Sequence, residues 1–103
     1  MRTLNFIIEA QTIHPDPACD FSGIVRGTKG YLQAEFSFSA EWNGCRRAAV
    51  FTKLCKDYPV PIVNNKCEIP EEALTWNTFT VAVVGARDGY RITTNKTEVR
   101  QDG

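Results

Sequence analysis

From Tyr31 to Phe38 the alternation is nearly strict, with Leu32, Ala34, Phe36 and Phe38 on one side and Gln33, Glu35, Ser37 and Ser39 on the other. Successive side chains of a strand point to opposite faces, so this pattern predicts a strand with one buried and one wet face. Leu4, Phe6 and Ile8 repeat it between Thr3 and Ile8, which reads as the first strand. Phe79 to Ala86 places Phe79, Val81, Val83 and Gly85 against Thr80, Ala82 and Val84. That run is apolar on both sides and predicts a central strand covered on both faces. A chain made of such segments is confined to sheets.

Turn chemistry divides the segments. Asn43-Gly44 is a strong turn signal because both residues tolerate positive φ, Asp88-Gly89 supplies a hairpin turn, and Asn64-Asn65-Lys66 reads as a further tight turn. His14 to Asp20 carries two prolines and two aspartates and is expected to be a loop. Strands are expected over 46–53, at Cys67-Glu68-Ile69 pairing back onto 60–63, over 90–94 and over 97–100. Tyr58-Pro59-Val60-Pro61-Ile62 has prolines two apart, so both missing N–H groups fall on the same side, as on an edge strand. Pro70-Glu71-Glu72-Ala73-Leu74 suits one helical turn, with proline and acids at its start. Roughly seven to eight short strands with at most one short helical turn predict an all-β, two-sheet sandwich of immunoglobulin-like or fibronectin-like type, a closed barrel being the alternative. Residues 1–103 read as a single domain.

Twelve basic and twelve acidic residues cancel, so no global field favours nucleic acid. The densest basic run, Arg46-Arg47 with Lys53 and Lys56, alternates with apolar residues as the wet face of a strand does. The apolar N-terminal run stops at Glu9, too short for a secretory core, and no stretch reaches the roughly 20 apolar residues that span a bilayer. Cys19, Cys45, Cys55 and Cys67 are widely spaced without a Cys-x-x-Cys pair, which favours reduced thiols over disulfides and disfavours zinc.

No residues are assigned to catalysis, cofactor binding or metal binding. The single histidine, His14, sits in a proline-rich segment, and the chain has no nucleophile elbow, phosphate loop or metalloprotease motif. The tandem acids Glu71-Glu72 are explained by a helix start, and no small-molecule substrate is implied. Phe36, Phe38, Phe51 and Phe79 fall on inward faces, as core residues rather than stacking platforms for bases. Trp42 and Trp76 each precede an asparagine at a strand boundary, where an indole is expected to plug an end of the sandwich with its N–H bonded. An exposed ring at either place is what a carbohydrate-binding module or small enzyme would require.

Phe36 to Gly44 with Ala48-Ala49-Val50-Phe51, then 67–74, 79–85 and 91–95, follow one another in an order spanning most of residues 31–100. This order resembles the small β-domains of Gram-positive bacteriophage and prophage baseplate upper, tail fibre and accessory virion proteins. The resemblance implies a non-catalytic tail, baseplate or capsid-associated protein that attaches to other phage structural proteins, or to itself as a homo-oligomer. It also implies residence in the bacterial host cytoplasm during assembly and then in the virion. A compact β-domain can equally be a phage-encoded inhibitor of a host protein such as a defence nuclease. The expected partner contacts are Tyr58, Val60 and Ile62, where a partner's strand could extend the edge, and His14 and Asp16 in the loop.

Overall fold

The computed structural model describes residues 1–102 and is an all-β sandwich of two sheets. Among the described residues nine strands form: β1 (Arg2–Glu9), β2 (Thr12–Pro15), β3 (Leu32–Phe38), β4 (Arg46–Lys53), β5 (Lys56–Pro61), β6 (Lys66–Glu68), β7 (Thr78–Arg87), β8 (Tyr90–Thr93) and β9 (Thr97–Arg100). The helical turn expected after Pro70 forms as a 3-10 turn at Glu71–Thr75, and a second short 3-10 turn, Ala40–Trp42, joins it. His14 and Pro15 belong to β2 and not to a loop. Pro15 is admissible there because β2 is an edge strand.

One sheet has the order β2-β1-β3-β6 and the other β5-β4-β7, with β8 and β9 dividing the far edge of β7 between them. β1 and β3 run parallel, joined by a long excursion through β2 and residues 16–31. That excursion is tied down by Arg2, whose guanidinium donates to the carbonyls of Asp20, Ser22 and Gly23. Phe21 is edge-on to Phe6 with ring centroids 5.4 Å apart. β6 does not pair back onto β5 beyond the bridge at Val63 and Lys66, but crosses to β3, with Cys67 opposite Ala34. The positive φ of Asn64 and Asn65 makes that crossing as tight as the sequence suggests.

The alternating residues meet between the sheets. Leu4, Phe6, Ile8, Leu32, Ala34 and Phe36 from one sheet face Ala49, Phe51, Phe79, Val81 and Val83 from the other, all buried. Each large side chain so buried contributes on the order of 1.5–3 kcal/mol. Phe38 at the margin is capped by the Arg47 guanidinium, 4.2 Å from the ring centroid. Trp42 is fully buried and its indole N–H donates to the Ala10 carbonyl at 2.9 Å, plugging one end of the sandwich. Trp76 departs from the same expectation: 44% of it is exposed.

Candidate functional site

The sheet containing β7 has its inner face on the core, whereas none of the described residues covers its outer face. On β4, Ala49 and Phe51 point inward, which sends Arg46, Ala48, Val50 and Thr52 outward. On β7 the outward set is Thr80, Ala82, Val84 and Ala86, and all but the exposed Ala86 are half-buried. The expectation that β7 is covered on both faces is therefore corrected: small apolar side chains line an open surface, with Pro59 and Pro61 of β5 beside them.

Cross-strand register orders this face into rows. Arg46 pairs with Ala86, which pairs with Arg91; Pro61, Ala48, Val84 and Thr93 form the next row; Pro59, Val50 and Ala82 the third. Asp57, Thr52, Thr80 and Glu98 form the fourth. Directly opposed residues share a face, so each row lies on one line across the sheet.

The arginines at this end divide by role. Arg47 donates to the Trp42 carbonyl and to Asn65 Oδ1, and Arg87 stacks on Tyr90 at 4.3 Å while donating to the Asn43 carbonyl. These two hold the end of the sandwich together. Arg46 and Arg91 are exposed and, among the described residues, have no hydrogen-bond or ion-pair partner. They flank a shallow cleft of about 290 Å³ floored by Ala48, Val84, Gly85 and Ala86. Two free guanidiniums beside an apolar floor can receive carboxylates and apolar side chains together.

The residues expected to make contacts are not brought together. β6 lies against β5 and β2 against β9, which puts β5 and β2 on opposite flanks of the sandwich. Tyr58 and Val60 are opposite Phe51 and Ala49, so their side chains turn inward and pack on the core. Ile62 is partly buried and lines a depression of about 450 Å³ with Cys45, Arg46 and Asn65. His14 is exposed on β2, its Nδ1 3.2 Å from the Pro15 carbonyl oxygen. Asp16 makes a local turn, accepting from the Ala18 amide through Oδ1.

The strand edges are also guarded. The Ile62 N–H donates to the Arg47 carbonyl, so alternation aims the amide positions of 59 and 61 away from β4, and both are proline. On β2 the Asp16 N–H donates to the Asn5 carbonyl, which turns positions 13 and 15 outward. The Ile13 N–H there is taken by Asn95 Oδ1, and Pro15 has none. Extension of β5 by a partner's strand would thus lack two donors.

Among the described residues no group of three or more His, Cys, Asp or Glu side chains is placed to hold a metal ion, and no helix is long and apolar enough to cross a membrane. All four cysteines are unpaired. The fold and its surface together define a two-sheet β-sandwich with one open, arginine-tipped sheet face. Comparison with protein-family models, with curated proteins and with solved structures gives no match to this chain.

Proposed function

We propose that this chain is a non-catalytic attachment domain, a tail-, baseplate- or capsid-associated phage subunit that binds other structural proteins through the outer face of the β5-β4-β7-β8 sheet. The open row structure of that face carries the reading. Val50, Ala82 and Val84 are half-buried apolar residues at its centre, bordered by unpartnered Arg46 and Arg91, the pattern of a small interface with an apolar middle and a charged rim. Proline-guarded edges favour a face contact over strand addition. The phage setting rests on the ordered motifs between residues 31 and 100.

Mass spectrometry of purified particles from a producing lysogen tests it. The chain should be found in particles, and Ala82→Lys, which plants a charge in the middle of the face, should reduce its incorporation at least about tenfold, as a charge buried without a partner would. Absence of the wild-type chain from particles would overturn the structural role. Specific retention of a host protein from uninfected lysate would instead identify an inhibitor.

A further inference from the structure

The charges around the open face form a pattern that becomes its own opposite, acid for base, after inversion along the strands. The first row has Arg46 and Arg91 at its ends, and the fourth has Asp57 and Glu98. One step beyond the first row lies Asp88 in the β7–β8 turn, and one step beyond the fourth lies Arg100, opposite Thr78. Between them the second and third rows are apolar apart from Thr93 at one end. Along the strands the signs therefore run acid, base, apolar, apolar, acid, base.

A twofold axis lying in the plane of the face, across the strands and midway between the second and third rows, sets row one of one copy over row four of another. Such an axis keeps each column in place. Arg91 and Glu98 occupy the same column because β8 and β9 share one edge of β7, and Arg46 and Asp57 lie in adjacent columns. We propose that the occupant of this face is a second copy of the chain, packed face to face so that Arg91 meets Glu98 of its twin, Arg46 approaches Asp57, and Asp88 approaches Arg100. This rests on the reading of the face as a protein contact surface and names its partner.

An isologous contact of this kind forms every pair twice. The partly exposed Ala48, Val50, Ala82 and Val84 supply a middle flat enough for sheet-on-sheet packing at about 10 Å. In the single chain Glu98 already lies 3.4 Å from Arg100 Nε, but both are exposed, and such a surface pair yields readily to a better partner. Four columns each about 4.8 Å wide and four rows each about 6.7 Å deep give a face of only about 500 Å² per copy, so a weak, micromolar-range dimer is expected.

Sedimentation equilibrium of the full chain, from about 10 μM to about 500 μM, should show monomer and dimer. Arg91→Glu and Glu98→Arg, each at an exposed position, should each weaken association at least about tenfold by facing like charges, and the double swap in one chain should restore it to within about threefold. A chain that stays monomeric throughout overturns the dimer, as does a dimer indifferent to both single swaps or unrepaired by the double. Failure of the underlying reading looks different: Ala82→Lys would then enter particles as the wild type does. A monomeric chain whose Ala82→Lys variant is excluded from particles would sink the dimer alone.

Discussion

Gly85 is the seat on which Trp42 rests: a Cβ built on Gly85 would fall 2.8 Å from Cζ3 and 2.9 Å from Cε3 of the indole. Gly85 lies on the inward side of β7, in register with Phe79, Val81 and Val83, where a larger residue would ordinarily fill the core. Its missing side chain is the space the ring occupies, and that ring closes one end of the sandwich through its bond to Ala10. The six-membered edge of the indole meets backbone there, which cannot swing aside.

Gly85→Ala is therefore expected to destabilise the fold by about 1–3 kcal/mol, the usual cost of overpacking a tight core, although alanine is the better strand residue. Urea denaturation with a tryptophan fluorescence readout measures it. A stability equal to or above wild type would show that the ring can shift.

Much of this architecture is legible in the residues because it is local. Leu4, Phe6 and Ile8, like Leu32, Ala34 and Phe36, declare their buried side by alternation, and all six are buried. What alternation cannot declare is which strand lies next door. The parallel pairing of β1 with β3 and the crossing of β6 to Ala34 depend on long-range contacts that leave no mark in a short window. Ala82 and Val84 mislead for a related reason: small apolar residues satisfy a covered face and an open one equally well. Arg46 and Arg91, far apart in sequence, become one feature only when Ala86 stands between them.

The β4–β5 hairpin hides its turn in a different way. Leu54 and Cys55 both have positive φ, 49° and 67°, the geometry of a two-residue turn that asparagine and glycine adopt with least strain. Neither residue type signals a turn, and Leu54 is 62% exposed. The double substitution Leu54→Asn with Cys55→Gly should stabilise the protein by about 0.5–2 kcal/mol, seen as a raised midpoint of thermal unfolding. No gain would mean that the present pair carries little strain.

Asn95 joins the two sheets at the gap between β8 and β9. Its Oδ1 accepts from the Ile13 amide at 2.9 Å, and its own N–H donates to the Gln11 carbonyl at 3.1 Å. Beside it Thr94 completes β7, accepting from the Val83 amide through Oγ1. Asn95→Ala strips the part-buried Ile13 amide of its acceptor, an expected loss of about 1–3 kcal/mol. The local sign is faster hydrogen exchange at Ile13 with little change at Val83. Unchanged exchange at Ile13 would mean that another group takes up the amide.

Cys67 gives a pH dependence whose sign can be worked out. Burial between the sheets pushes its thiol from the ordinary 9.0 up to about 12, because the thiolate would lose its hydration there. Above about pH 9 the unfolded chain releases this proton while the folded chain keeps it, so the folded state holds more protons and stability falls as pH rises. The contribution is intact below pH 9 and declines by up to about 1.4 kcal/mol per pH unit until the folded thiol itself ionises. The informative quantity is the difference between wild type and Cys67→Ala. That difference should shift steadily against the wild type between pH 9 and the onset of alkaline unfolding. A thiol reagent at pH 8 should meanwhile label exposed Cys55 quickly and buried Cys67 only as fast as the sandwich opens. Equal labelling rates at the two cysteines would show that the edge at β6 opens without the rest of the fold.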